Sequence, residues 1–242
     1  MIHQSPELMS EDDAWAETDR QRLDLADLLE GLSVQQWSLP SLCAGWRIRD
    51  VAAHLALAHT GPQRAAIDLV RAGGRFQTMI YDAARRHAAL PPAELSAEIR
   101  AMAGSRRRAP GISYLEPLLD VLVHGQDIAV PLGRLRPMPT DAAAAVATRV
   151  WTMPWPLATT FRARRRLREV SLEATDIEWS VGVGAPVRGP IRALLMLLTG
   201  RTAAMNELTG PGLGKVPEIA GHSPRHVEDR PAGRSTGTQD AQ

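Results

Sequence analysis

Residues 114–130, YLEPLLDVLVHGQDIAV, decide the fold. The segment is strongly apolar and is followed by Pro131 and Gly133, so it predicts a buried helix over Tyr114–Val130. Asp120 and His124 interrupt the apolar run. Because they are four residues apart, they share one face of the helix, with Cβ atoms about 6 Å apart. A buried aspartate is costly unless it is paired or bound to a metal, so this face predicts a polar site inside a helical core.

Further amphipathic segments flank this helix on its N-terminal side. Their apolar residues recur near the helical period, and Gly or Pro separates them. The predicted helices are Asp12–Glu30, a second that starts after Gly45 and ends before Gly61, then Pro62–Ala72, Met79–Ala89 and Pro92–Ala103. Together with the segment above they predict a four-helix bundle with extra turns over residues 1–137.

The sequence pattern changes after Pro139. An alanine-rich helix is expected to Met153, two alternating segments predict strands, and two short helices follow. The predicted strands are Leu167–Ala174 and Ile177–Val183, and the helices after them are Ile191–Thr199 and Arg201–Leu208. We therefore expect an α+β protein, with a smaller α+β domain over residues 138–214. Residues 215–242 are polar and rich in Pro and Gly, so we expect them to be disordered.

The composition excludes several classes of partner and site. The formal charge is +1, with 28 basic and 27 acidic residues, which gives no electrostatic reason to expect nucleic acid or an anionic membrane. Cys43 is the only cysteine, so no intramolecular disulfide can form. There is no signal-peptide pattern at the start and no apolar run long enough to span a bilayer. We expect a cytoplasmic protein, and the sequence leaves its oligomeric state open.

His54 supplies a third candidate ligand for a metal site. It lies on the apolar stripe of its own helix, beside Val51 and Leu55. Two imidazoles and one carboxylate from two helices suit zinc with a fourth position open, although Fe(II), Ni(II) or Mn(II) accept the same ligands. The alternative is that His54 and His124 are buried core histidines and that Asp120 pairs with one of them.

Two further acids are within reach of these ligands. A metal-bound histidine usually donates its other N–H to a carboxylate or carbonyl group. Asp50 is four residues before His54, and Asp127 is three residues after His124, so each could support one ligand. Asp50 could equally cap its helix or pair with Arg47 or Arg49.

Several segments in order along the chain form a recognisable set. They are PSLCAGWRIRDVAAHL at 40–55, DVLVHGQDIA at 120–129, ATDIEWSVG at 174–182, VRGP at 187–190 and LTGR at 198–201. This set resembles the mycothiol-dependent maleylpyruvate isomerase family of actinobacteria, which has a DinB-like metalloenzyme fold. The resemblance implies an N-terminal DinB-like bundle. It also implies zinc as the metal and mycothiol as a thiol cosubstrate that reacts with a small electrophile.

The resemblance also implies roles for particular residues. The family holds zinc through histidine, glutamate and histidine, and His54 and His124 match the two histidines. Asp120 stands in place of the glutamate and is one methylene shorter, so the metal would shift toward its helix, bind more weakly or differ in identity. Arg201 matches a catalytic arginine that would hold a carboxylated substrate. The alternative is a helix-start arginine that pairs with Glu178 or a surface acid.

The predicted function is therefore a metal-dependent enzyme that uses mycothiol, as a maleylpyruvate isomerase-like enzyme or a mycothiol S-transferase. One alternative is a thiol-independent metal hydrolase, with Asp127 or Asp50 as the general base. Another is a non-catalytic metal-binding or regulatory protein, which the Asp120 departure favours. Cys43 could line or coordinate the site, although a lone cysteine is more typical of a small buried apolar residue.

Overall fold

The computed structural model describes residues 9–59, 67–68, 70–108, 111–154 and 157–217. It is mostly helical with one three-stranded sheet, which confirms the predicted α+β class. Residues 218–242 of the predicted disordered tail lie outside the described residues. The helices are α1 Glu11–Glu30, α2 Val34–Trp37, α3 Ile48–Ala56, α4 Phe76–His87, α5 Pro92–Ala101, α6 Leu115–Ala129, α7 Thr140–Thr152, α8 Ala163–Arg166 and α9 Ile191–Leu198.

Helix α6 lies at the centre of the N-terminal bundle. It packs against α1 and α3, and it also contacts α7 of the C-terminal part. Leu115, Leu118 and Leu122 of α6 are almost completely buried, which accounts for the apolar character of this segment. The helix differs from the predicted Tyr114–Val130 by one residue at each end. Part of the predicted helix Pro62–Ala72 lies outside the described residues.

The sheet follows α8 and has the strand order β2-β1-β3, with β1 at Val170–Ala174, β2 at Ser180–Gly182 and β3 at Ala185–Gly189. Strand β1 is antiparallel to β2 and parallel to β3. Helix α9 packs against α7, and α7 packs against α6, so one hydrophobic core runs through both parts of the chain. The predicted boundary at residues 137 and 138 falls between α6 and α7.

Strand β3 was not expected from the sequence. Gly182 and Gly184 have φ angles of 83° and 142°, so the chain turns sharply between β2 and β3. A Cβ at Gly184 would lie 2.2 Å from the carbonyl oxygen of Glu169, so glycine is required for this close approach. Gly182 and Gly184 interrupt the alternating pattern of a strand, and they also form the turn that allows β3 to pair with β1.

The predicted helix Arg201–Leu208 is wrong. Only a 3-10 turn at Met205–Glu207 forms there, because α9 ends in a Schellman motif. Gly200 has a φ angle of 87°, and its N–H donates to the carbonyl of Leu197. The N–H of Arg201 donates to the carbonyl of Met196 at 2.8 Å. This closure ends the helix and fixes the backbone of Arg201.

Within the described part of the chain, none of the helices is both long enough and apolar enough to cross a bilayer.

Replacing Gly200 with alanine is expected to lower the free energy of unfolding by about 1–2 kcal/mol, because an L-residue is strained in the left-handed region. Chemical denaturation measures this change. Gly214→Ala is the control, since a Cβ there meets open space and no positive φ is involved. Equal midpoints for the two variants would contradict the role given to Gly200.

Candidate metal centre

The structure brings the three predicted metal ligands together. His54 lies on α3, and Asp120 and His124 lie on α6. Each offers one ligand atom, and these atoms all lie within 4.8 Å of one another. The two imidazole rings meet edge to face, with centroids 4.9 Å apart. All three residues are partly buried.

The loop before α3 holds one side of this group. Its ends are joined by two backbone hydrogen bonds, from the N–H of Ser41 to the carbonyl of Trp46 and from the N–H of Ile48 to the carbonyl of Leu39. Trp46 consequently lies against His54, with ring centroids 5.3 Å apart. The indole therefore restricts the orientation of the His54 ring.

A second group of polar side chains lies behind His124. We call Cys43, His124, Asp127 and Arg201 the Asp127 cluster. Arg201 donates from Nε to Oδ1 of Asp127 at 3.1 Å and from Nη2 to Oδ2 at 2.7 Å. The Cys43 thiol donates to the same Oδ2 at 3.0 Å. Nδ1 of His124 lies 2.8 Å from Oδ2, so the fully buried carboxylate joins the other three residues.

Electrostatics keep Asp127 ionised. Burial alone would raise its pKa, but the charge of Arg201 and the hydrogen bond with His124 hold the pKa well below its usual range. Arg201 also donates from Nη1 to the carbonyl of Thr199 at 2.7 Å. The buried charges of Asp127 and Arg201 are thus both hydrogen-bonded, which a stable buried pair requires.

The ionised Asp127 orients the imidazole of His124. A carboxylate accepts the proton on Nδ1, which leaves Nε2 as the nitrogen available to a metal. Burial is the largest influence on the pKa of His124 and lowers it, but the hydrogen bonds with Asp127 and Cys43 raise it to about 10. For His54, burial and then the charges of His124 and Arg201 lower the pKa to about 3.

The donor set fits a divalent metal. Neither Asp120 nor His54 has a hydrogen-bond partner among the described residues, although both are largely enclosed. Burial raises the pKa of Asp120, so its carboxylate lacks stabilisation that a cation would provide. His54, Asp120 and His124 therefore present two imidazole nitrogens and one carboxylate oxygen, a set typical of zinc sites with an open position.

Cys43, His124 and Asp127 also lie close enough to hold an ion. Both carboxylate oxygens of Asp127 already accept hydrogen bonds from Arg201, however. The carboxylate of this second group is therefore satisfied by protein donors, whereas Asp120 and His54 have no hydrogen-bond partner among the described residues.

The two acids predicted to support the ligands have different positions. Asp127 makes the expected contact with His124. Asp50 does not reach His54 in the described structure. It accepts from the backbone N–H of Arg47 at 2.8 Å and pairs with the Arg47 guanidinium at 3.0 and 3.1 Å. Of the two interpretations that the sequence left open, the structure therefore has the second, in which Asp50 caps the start of α3 and pairs with Arg47.

Arg201 does not follow the alternative interpretation drawn from the sequence, that of a helix-start arginine paired with Glu178 or a surface acid. It is neither at a helix start nor paired with Glu178, and only 7% of it is exposed. Its partner is Asp127, 74 residues earlier. This pair and the contact with Cys43 were not predicted from the sequence. The only sequence signal was the spacing of Asp120, His124 and Asp127, which places all three near one helical face.

Comparison with known proteins identifies the N-terminal part. Residues 18–112 match the family model described as the mycothiol maleylpyruvate isomerase N-terminal domain. Over these residues the chain is similar to the N-terminal domain of this family. The resemblance drawn from the sequence motifs is thereby confirmed. A search among curated proteins found no match.

Two crystal structures share the fold of nearly the whole chain. One is of a mycothiol-dependent maleylpyruvate isomerase, with a TM-score of 0.59 and 14% sequence identity. The other is of a histidine-to-alanine mutant of such an isomerase, with a TM-score of 0.57 and 13% identity. Each match covers 87% of this chain and 96% of the other. At these identities the likeness shows that the maleylpyruvate isomerase fold is present, including its C-terminal part.

His54→Ala and His124→Ala are each expected to abolish stoichiometric zinc binding, because each removes one of three ligands. Elemental analysis of untagged protein after zinc loading measures the content, with about one zinc per chain expected in the native protein. Asp120→Glu should keep or tighten binding. His87→Ala is the control, since His87 pairs with Glu98 away from the site. Full zinc content in both ligand variants would contradict the assignment.

Arg201→Met is expected to lower the free energy of unfolding by about 3–5 kcal/mol, because it leaves Asp127 as an unpaired buried charge. The control is Arg188→Met, which removes a more exposed pair with Glu173 and should cost less than about 1 kcal/mol. Urea denaturation of the two variants makes the comparison. Similar losses of unfolding free energy in both variants would show that the buried Asp127–Arg201 pair stabilises the fold no more than an exposed pair does.

Proposed function

We propose that this chain is a metal-dependent enzyme that uses mycothiol as a thiol cosubstrate and acts on a small electrophile, in the manner of a maleylpyruvate isomerase or a mycothiol S-transferase. The observation that carries the proposal is the convergence of His54, Asp120 and His124. Of these, His54 and Asp120 have no hydrogen-bond partner among the described residues. The family of the N-terminal domain and the shared fold support the same chemistry.

His54, Asp120 and His124 would hold the metal, and their nitrogen-rich donor set favours zinc. A bound divalent metal lowers the pKa of a coordinating thiol, so thiolate forms at neutral pH. In an isomerase reaction the thiolate adds to a conjugated carbon–carbon double bond, rotation follows about the resulting single bond, and elimination releases the trans isomer. The thiol is regenerated, so no oxidant or reductant is consumed.

The catalytic thiol must come from outside the protein. Cys43 is buried and donates to Asp127, on the Nδ1 side of His124. The nitrogen of His124 that remains for a metal is Nε2, on the other edge of the ring. Cys43 therefore belongs to the support of His124, and an external thiol is needed at the open position.

Arg201 acts as a positioning residue in this proposal. Arg201 is only 7% exposed, and its Nε, Nη1 and Nη2 all donate to protein acceptors, so the guanidinium has little capacity left for a substrate. Its effect on chemistry would pass through Asp127 to the orientation of His124. We propose this role in place of the one that the resemblance implied, in which Arg201 holds a carboxylated substrate.

The arrangement disfavours the thiol-independent hydrolase. Its general base was expected to be Asp127 or Asp50. Asp127 is paired with Arg201, and its pKa is depressed, while Asp50 is paired with Arg47. Neither carboxylate is placed to accept a proton from a water molecule at the metal.

Mycothiol binding can be tested with cobalt-loaded protein. Adding mycothiol is expected to produce a new thiolate-to-cobalt charge-transfer absorption, because the thiol sulfur enters the open position. Cys43→Ser should retain the new absorption, and His124→Ala should lack it. An absorption present before mycothiol is added and lost in Cys43→Ser would show that Cys43 is the ligand. No spectral change on adding mycothiol would contradict the proposed thiol chemistry.

A further inference from the structure

A cavity of about 250 Å³ lies beside the proposed metal centre. Asp120 belongs to both, because its carboxylate is one of the three candidate ligands and also lines the cavity. Most of the wall is apolar. The apolar lining includes Leu25, Leu55, Ile99, Leu119, Met153 and Phe161.

Arg22 is the buried cation of this cavity. It lies on α1 and is only 3% exposed. Its Nη1 donates to the carbonyl of Met102 at 3.0 Å and, more weakly, to that of Ser105 at 3.5 Å. Its Nε and Nη2 have no hydrogen-bond partner among the described residues, although the side chain lines the cavity.

The charge of Arg22 is poorly neutralised by the protein. Asp19 approaches no closer than 3.8 Å and is engaged by Arg106 at 2.7 Å. Burial is the largest influence on the pKa of Arg22 and lowers it, while the charges of Asp19 and, to a smaller extent, Asp120 oppose this effect. A buried guanidinium with unused donors would gain from an anionic partner.

The other charged side chains around the cavity do not provide Arg22 with an anionic partner. The carboxylate of Glu116 also lines it, but Arg149 donates to one of its oxygens from Nε at 2.9 Å and from Nη2 at 2.5 Å. Arg107 lines the exposed end and adds positive charge. Asp120 would be neutralised by the proposed metal. The cavity therefore favours one anionic group beside Arg22 and an apolar group elsewhere.

We infer that Arg22 binds the carboxylate of the substrate, and that the substrate is a small carboxylic acid with an apolar body. A guanidinium can donate two parallel hydrogen bonds to a carboxylate, which fixes orientation as well as affinity. The aliphatic walls would cover the apolar body. A second carboxylate on the substrate would be desolvated against these walls without a partner, so a dicarboxylate such as maleylpyruvate should bind less well. Of the two proposed reactions, the cavity therefore favours the transfer of mycothiol to a monocarboxylic acid. This inference rests on the proposed function in that it names the class of the electrophile.

Hexanoate is the probe, and isothermal titration calorimetry measures its binding. Native protein is expected to bind hexanoate, and to bind hexanamide and succinate at least about tenfold more weakly. Arg22→Met should weaken hexanoate binding about ten- to a hundredfold, because it removes hydrogen bonds to a charged group. Arg22→Lys should retain part of the affinity. Arg20→Met, an exposed site on the same helix, should bind as native does.

The titrations are made on both zinc-loaded and metal-free protein, because a carboxylate could also bind the metal. Binding that needs zinc and is unchanged in Arg22→Met would overturn the inference, as would equal affinity for hexanoate and hexanamide in the native protein. Thermal unfolding of each variant checks that it folds. The comparison of hexanoate with hexanamide in the native protein remains a test even if Arg22→Met fails to fold. Loss of the cobalt–thiolate absorption with intact Arg22-dependent binding would overturn the thiol chemistry alone.

Discussion

The buried pair of Asp127 and Arg201 is the interaction on which the candidate site depends. Its carboxylate lies on α6 of the bundle, and its guanidinium follows α9 of the C-terminal part. Two buried charges are tolerated only because each is fully hydrogen-bonded, Asp127 also by Cys43 and Arg201 also by the carbonyl of Thr199. The backbone carbonyl of Asp127 accepts from the N–H of Leu42 as well, so the loop before α3 is tied to the same point.

This pair explains why the C-terminal part matters for a site whose ligands all lie in the bundle. The Schellman closure at Gly200 directs Arg201 toward Asp127, and Asp127 in turn fixes the ring of His124. A rigid second layer of this kind holds ligand geometry more closely than packing alone. In the proposed enzyme, α9 and the turn that follows it would therefore contribute by positioning Asp127 and His124, without supplying a ligand.

Much of the site could be predicted from local spacing, and the remainder depends on contacts distant in sequence. Asp120, His124 and Asp127 follow the helical period, so their common face was evident, as was the class of the fold. Arg201 could not be placed, because nothing local encodes a partner 74 residues away. The unused hydrogen-bond donors of Arg22 could not be predicted from the sequence either, since its backbone partner Met102 is 80 residues distant. The use of mycothiol follows only from the family resemblance, because no spacing of residues specifies a thiol.

We propose that one metal ion lies between His54, Asp120 and His124. Anomalous diffraction at the zinc absorption edge, from crystals of zinc-loaded protein, tests this site most directly. One strong peak is expected within coordination distance of these three side chains, with Nε2 of His124 as the ligand atom. A peak at Cys43 and Asp127 instead, or none despite zinc in the crystal, would contradict it.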